Sequence, residues 1–152
     1  MALDAETATS LGKIGGALSL GLSALGSGLG IGAAGTAAVG AWKKCFAQNK
    51  PAPFLQLAVC VGAPITQTFY GMIVMRKLLE LAAKGGDFAA LMGWGVMGGL
   101  AIGLSAWMQG VIAAAAADAF AETGQGFTNY LLALGIIESV AIFVMVFILI
   151  AA

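Results

Sequence analysis

The sequence contains no histidine and only two cysteines, and only 9% of its 152 residues are charged. Without histidine there is no general base for a conventional serine triad, and without a cysteine cluster there is no thiolate metal site. Seven basic and seven acidic residues leave the chain formally neutral, so it lacks the basic surface that binds nucleic acid. We therefore expect no nucleic-acid partner and no conventional hydrolase chemistry.

Apolar residues dominate the composition instead: 61% of the chain is hydrophobic and the mean hydropathy is +0.99. Charged residues border four apolar segments, at 12–42, 53–82, 88–120 and 127–152. Each segment exceeds the ~20 residues that a helix needs to cross the hydrocarbon core. The sequence thus predicts an all-α membrane protein with four transmembrane helices. Asp4 and Glu6 precede the first lysine, unlike the positive start of a signal peptide, so we expect these spans in the mature protein.

The two halves of the chain are related by an internal repeat. LGLSALGSG at 20–28 aligns with IGLSAWMQG at 102–110, and QTFYGMIV at 67–74 aligns more weakly with VAIFVMVF at 140–147. This repeat predicts a tandem duplicated helical hairpin, with the first hairpin at 1–84 and the second at 85–152. Both copies should cross the membrane in the same direction. The register sets Ile65 against Glu138, so only the second hairpin has a carboxylate at this level.

Small residues at four-residue spacing form one stripe on the first segment and one on the third: Gly28, Gly32, Thr36 and Gly40, and Gly95, Gly99 and Gly103. Such stripes let helix backbones approach closely in lipid. We expect the first and third helices to pack most tightly. The second and fourth helices, which are rich in Phe, Met, Ile and Val, should form a bulkier layer.

Polar residues occur at membrane depth in the last three segments: Thr66, Gln67, Tyr70, Gln109, Glu138 and Ser139. Thr66, Gln67 and Glu138 each lie about 14 residues, or ~20 Å, from a helix end, so they can meet in one plane. Pro64 should bend the second helix just before Thr66 and free backbone oxygens there. An intramembrane carboxylate is costly and indicates a functional site.

Two kinds of cargo suit this set of residues. A carboxylate alone could bind a proton, whereas neutral oxygens around one carboxylate suit a hard cation whose water shell they replace. A single negative charge favours a monovalent ion, Na⁺, over Ca²⁺ or Mg²⁺, because a divalent ion would leave the filled site positive. The alternative is that the amides and hydroxyls only form hydrogen bonds between helices.

The residues of GIGAAG at 30–35 match the dinucleotide-binding pattern, but their context in the sequence does not. That pattern needs a preceding strand and an acidic residue about 20 positions later. No Asp or Glu occurs between Glu6 and Glu80. We therefore expect no organic cofactor.

Together these motifs resemble a known family. The duplicated hairpin, P-x-T-Q-x-x-Y-G at 64–71, S-x-x-x-Q-G at 105–110 and the single Glu138 are similar to the ring-forming proteolipid, of the K or c type, of V-type rotary ATPases. The sodium-translocating bacterial type is the most similar, and the resemblance extends over residues 10–152.

The resemblance implies a set of site residues. The side chains of Thr66, Gln67, Gln109 and Glu138 would bind Na⁺, together with the backbone carbonyl of Ala63. Tyr70 would hydrogen-bond Glu138 and lock its position, and Pro64 and Ser139 would support these ligands.

The resemblance also implies a function and partners. The chain would be a rotor subunit of an ATP-driven, ion-translocating complex, not catalytic alone, with one ion per subunit in a homo-oligomeric ring surrounded by lipid. A static membrane subunit would supply an arginine, and a central-stalk subunit would bind on the cytoplasmic side. The protein would lie in the cell membrane with its termini outside and the 43–52 and 119–126 connections in the cytoplasm. The same ring carrying protons, and a passive four-helix channel or small transporter, are the alternatives.

Overall fold

A computed structural model describes residues 4–152 as a nearly all-helical bundle. Its helices are α1 (Ala5–Ala47), α2 (Phe54–Gly62), α3 (Thr66–Ala83), α4 (Phe88–Thr123) and α5 (Phe127–Ala151). A single 3₁₀ turn, Ala63–Ile65, joins α2 to α3, so that these two helices form one span. All four spans are long and apolar enough to cross a membrane, which confirms the predicted fold class.

The first helix extends beyond its predicted segment, 12–42, at both ends. The first helix begins at Ala5 because the Asp4 carboxylate caps it, accepting hydrogen bonds from the Thr7 backbone N–H and hydroxyl, both at 2.8 Å. These two bonds hold the pKa of Asp4 below its ordinary value. At the other end the helix continues through its lysines to Ala47, and Asn49 then adopts a positive φ of 52°. Charged residues mark the edge of the membrane, but they do not end a helix.

The connections between the spans are short. The turn after α3 uses Gly85 at φ 80°, a backbone conformation that disfavours residues with a Cβ. The predicted hairpin boundary at 84/85 falls within this turn, although the division into two duplicated units stays a prediction. At the opposite end of the bundle Lys44 forms an ion pair with Glu122, which joins α1 to α4.

The tightest packing in the bundle is between α1 and α4, which run parallel. A Cβ added to Gly26 would overlap the backbone of Gly103, and one added to Gly110 would overlap the backbone of Gly30. The backbones therefore touch directly, as the small residues of the predicted first and third helices required.

The stripe predicted for α1 is not the one that makes this contact. Gly28, Gly32, Thr36 and Gly40 are exposed, or nearly so, and no atom of the described residues lies within 4 Å of a Cβ built on any of the three glycines. The contact instead uses Gly15, Gly26 and Gly30. The four-residue spacing correctly indicated a face of small residues on α1. This glycine-rich helix has small residues on several faces, however, and α4 packs on a different face from the predicted one.

The outer layer consists of α2, α3 and α5, as predicted for the bulkier helices. Only three residues of α5 are buried: Leu134, Ala141 and Ile148. Large apolar side chains such as Phe143, Phe147 and Ile150 face outward from this helix. Exposed apolar surface on this scale is what a lipid environment accommodates. Cys45 and Cys60 are buried free thiols.

Candidate functional site: a buried polar network that ends at Glu138

The site begins where the second span is bent. Proline has no N–H to donate to a preceding carbonyl, and the backbone around Pro64 tightens into the 3₁₀ turn. The Ala63 carbonyl accepts the Thr66 backbone N–H and also the Thr66 hydroxyl, the latter at 3.1 Å. The bend predicted at Pro64 is therefore present, and it brings the Ala63 carbonyl and the Thr66 hydroxyl together.

Two glutamines connect this bend to the fourth span. The Thr66 hydroxyl lies 3.1 Å from Gln67 Oε1, and Gln67 Nε2 donates to Gln109 Oε1 at 2.9 Å. Gln109 Nε2 then donates to the Leu134 carbonyl at 3.0 Å and to Glu138 Oε2 at 3.3 Å. Both glutamines are 0% exposed, so the bond between them is formed in the interior of the bundle. The structure thus brings α3, α4 and α5 together at one level.

Glu138 accepts a hydrogen bond on each carboxylate oxygen. Tyr70 Oη donates to Oε1 at 2.8 Å, opposite the Gln109 amide on Oε2. The carboxylate is half-buried at the outer edge of the bundle, and Ile65, its counterpart in the repeat, is 49% exposed. Glu138 is therefore supported from inside by neutral donors and lies close to the surface of the bundle.

The carboxamides of this network donate in the direction of Glu138. The single Thr66 hydroxyl proton has two acceptors at 3.1 Å, the Ala63 carbonyl and Gln67 Oε1; Gln67 donates to Gln109, and Gln109 donates to Glu138. Successive donors aimed at a carboxylate stabilise its negative charge in a medium of low dielectric constant. The same side chains contain oxygens of the kind that hard cations prefer.

Not every residue predicted for the site joins the network. The Ser139 hydroxyl donates to the Ile136 carbonyl of its own helix at 2.7 Å, and it takes no part in the Glu138 contacts described above. Two participants were not predicted. The Leu134 carbonyl orients Gln109, and the Ser105 hydroxyl donates to the Ile137 carbonyl at 2.8 Å, tying α4 to α5. A backbone carbonyl has no signal in sequence, whereas Ser105 belongs to the repeat motif.

Comparison with known proteins identifies the second half of the chain. Residues 92–151, which include Gln109, Tyr130 and Glu138, match the family model for the C-subunit of ATP synthase. This part of the chain is therefore similar to the ATP synthase C-subunit. The first hairpin lies outside this match.

A curated relative covers more of the chain. The A-type ATP synthase subunit K of Methanocaldococcus jannaschii is 35% identical over 120 residues, which are 77% of this chain and 50% of the relative. The chain therefore spans about half the length of that relative. Both matches agree with the resemblance to proteolipids of the K and c types, and neither distinguishes Na⁺ from H⁺.

Proposed function

We propose that the protein is a ring-forming rotor subunit of a membrane-embedded rotary ATPase or ATP synthase, and that Glu138 in each copy of the chain carries one cation across the membrane. The observation that supports this most strongly is the polar network, which places the single intramembrane carboxylate at the end of four buried or half-buried polar side chains. The homology of residues 92–151 to the ATP synthase C-subunit supports the same assignment.

For the cargo we propose Na⁺. Its ligands would be one carboxylate oxygen of Glu138, the side-chain oxygens of Thr66, Gln67 and Gln109, and the Ala63 carbonyl. Neutral oxygens compensate for the lost water shell, and the single carboxylate neutralises the ion, so that the filled site can face lipid. Tyr70 would hold the second carboxylate oxygen in place.

A proton is the second candidate. Its supporting observation is that Tyr70 and Gln109 donate to the two carboxylate oxygens of Glu138. A protonated Glu138 would need no ligands from Thr66 or Gln67. The two candidates therefore differ in whether the inner half of the network contributes to binding.

The test uses a carbodiimide that reacts with protonated carboxyl groups. In native membranes at constant pH, millimolar Na⁺ should slow the modification of Glu138, whereas K⁺ at the same ionic strength should not. Modification that is equally fast with and without Na⁺ would exclude the sodium assignment and favour the proton.

The ring and its partners are also part of the proposal. The bundle exposes apolar side chains on α1 as well as on α5, for example Leu25 and Val39, as expected if both sides contact neighbouring subunits or lipid. A static membrane subunit would offer an arginine to the empty carboxylate, since an unpaired charge cannot face lipid. A central-stalk subunit would bind at the end of the bundle that contains Lys44 and Glu122.

A mass measurement separates the ring from a passive four-helix channel or small transporter. A detergent-extracted particle of many times 15.2 kDa is expected, and a single 15.2 kDa species would exclude the ring.

We further propose that the 43–52 and 119–126 connections face the cytoplasm and that the termini lie outside. Cysteines introduced at Lys50 and at Lys84 test this with a membrane-impermeant maleimide applied to intact cells. Labelling at position 84 alone is expected, and labelling at position 50 alone would reverse the orientation.

A further inference from the structure

Ser27 of α1 is a buried hydroxyl with no assigned role. It is 2% exposed, and within residues 4–152 its Oγ has no hydrogen-bond partner. The other hydroxyls of α1 behave differently: Ser23 Oγ donates to the Ser19 carbonyl at 2.7 Å, and Thr36 Oγ1 donates to the Gly32 carbonyl at 2.8 Å. A buried polar group without a partner is costly, so an orphan hydroxyl among satisfied ones requires an explanation.

The register between α1 and the second span places Ser27 opposite the site. Ser19 Oγ donates to the Gly71 carbonyl at 3.1 Å, and a Cβ on Gly71 would overlap the Ser23 side chain. Further along α1, a Cβ on Gly30 would overlap Pro64. The two helices run antiparallel, so residues between Ser23 and Gly30 on α1 lie opposite residues between Gly71 and Pro64 on the second span. Ser27 is thus level with Gln67.

The Gln67 side chain has hydrogen-bonding capacity that the network does not use. Its carboxamide has two N–H donors. In the structure the Nε2 atom makes one hydrogen bond among the described residues, to Gln109 Oε1 at 2.9 Å. That acceptor is also an oxygen that the proposed cation would take as a ligand. If Gln109 Oε1 turned to the cation, the buried Gln67 amide would lose this acceptor.

The internal repeat points to the same residue. In the alignment of 20–28 with 102–110, Ser27 stands opposite Gln109. Gln109 is the α4 side chain that reaches into the network from inside the bundle. The first hairpin therefore has a shorter polar side chain at the equivalent position of its inner helix.

We propose that Ser27 is a positioning residue of the Glu138 site, which accepts the Gln67 amide N–H when a cation draws Gln109 Oε1 away. In the structure Gln67 donates to Gln109, and with a cation bound it donates to Ser27 Oγ instead. This exchange keeps Gln67 satisfied in both states and holds its Oε1 toward the ion. The inference rests on the proposed function, because it requires a cation at Glu138.

The experiment compares Ser27→Ala with Ser23→Ala in native membranes. Both variants remove one buried hydroxyl from α1, one helical turn apart, but only Ser27 lies opposite Gln67. The readout is the Na⁺ concentration that half-protects Glu138 from the carbodiimide. Ser27→Ala should raise it by roughly tenfold, since a buried amide loses its acceptor, while Ser23→Ala leaves it near the wild-type value.

A second measurement reports on Gln67 itself. In protein containing ¹³C-labelled glutamine, the infrared band lost in Gln67→Ala identifies the Gln67 carboxamide. This band should shift on addition of Na⁺ in the wild type and in Ser23→Ala, and shift differently in Ser27→Ala. If Ser27→Ala does not assemble, Ser27→Cys, which retains a weak hydrogen-bonding group, should show the same changes at smaller amplitude.

Failure of the inference and failure of the proposed function are distinguishable. Suppose that Na⁺ protects the wild type, and that Ser27→Ala has the same half-protecting Na⁺ concentration and the same Na⁺-induced shift of the Gln67 band. This result would overturn the role of Ser27 alone. Equal losses in Ser27→Ala and Ser23→Ala would also overturn it, because they would indicate general damage to α1. Absence of Na⁺ protection in the wild type would remove the cation site and, with it, the exchange at Ser27.

Discussion

At the scale of single residues, the Glu138 carboxylate shows how a charge is tolerated among apolar helices. No cationic side chain approaches it within the described part of the bundle; its contacts are the neutral donors Tyr70 and Gln109. Neutral donors stabilise a carboxylate without cancelling its charge. The site therefore retains an attraction for a cation, which a permanent salt bridge within the subunit would have removed.

Tyr70→Phe tests the outer half of the network. The variant removes the hydroxyl that donates to Glu138 Oε1 at 2.8 Å and keeps the ring. Because hydrogen bonds to charged groups contribute about 1.5–3 kcal/mol, we expect at least a tenfold rise in the Na⁺ concentration that half-protects Glu138. Tyr130→Phe is the matched control, since the Tyr130 hydroxyl lies against Gly126, away from Glu138. An unchanged half-protecting concentration in Tyr70→Phe would contradict the locking role of Tyr70.

Thr66→Val distinguishes the two candidate cargoes. Valine keeps the shape of threonine but loses the hydroxyl that joins the Ala63 carbonyl to Gln67. A sodium site should lose about tenfold in affinity with one oxygen ligand, as measured by Na⁺ protection of Glu138. Thr68→Val, two positions along the same helix, should have no effect. If ion transport driven by ATP continued at the wild-type rate in Thr66→Val without any Na⁺ dependence, the cargo would be the proton.

At the scale of helices, the sequence predicted the spans, the bend at Pro64 and the common level of Thr66, Gln67 and Glu138, because each has a local signal, whereas the role of Gln109 came from the family resemblance. Apolar length, a missing backbone donor and polar residues at equal depth are all readable from single segments. The face of α1 that packs on α4 was mispredicted at Gly28, since it depends on the rotation of one helix against another. The Leu134 carbonyl and the orphan Ser27 hydroxyl likewise emerge only from tertiary geometry.

Gly26→Ala tests the close contact of α1 with α4. The added methyl group would meet the backbone of Gly103, which cannot move aside like a flexible side chain. Alanine favours an isolated helix by about 1 kcal/mol over glycine, but overpacking costs about 1–3 kcal/mol or more where backbones touch. We expect a lower midpoint of thermal unfolding in detergent.

Gly21→Ala is the control for this prediction, because no atom within residues 4–152 lies near a Cβ at that position. It should be neutral or slightly stabilising. Equal behaviour of the two variants would mean that α1 and α4 do not pack through Gly26.

At the scale of the whole molecule, the predicted duplication with a single carboxylate has a consequence for the proposed ring. Each copy of the chain has four spans but one carboxylate at this level, because Ile65 occupies the position that the repeat aligns with Glu138. The polar residues of the first hairpin do not form a second site; Thr66 and Gln67 are joined instead to the Glu138 network. A ring of such subunits would carry fewer ions per turn than one in which every hairpin has its own carboxylate.

All the subunits of such a ring rotate together as one body. Every Glu138 must pass the static subunit during a turn, so one carbodiimide-modified subunit should stop all the others. If a fraction x of Glu138 is modified at random in a ring of N subunits, coupled transport should fall as (1 − x) to the power N. The fraction of transport activity lost is then much larger than the fraction of subunits modified. Mass spectrometry of Glu138 gives x, and ATP-driven ion uptake into membrane vesicles gives the activity. A transporter whose molecules work alone would instead lose activity in direct proportion to x, and a linear relation would therefore contradict the rotary assignment.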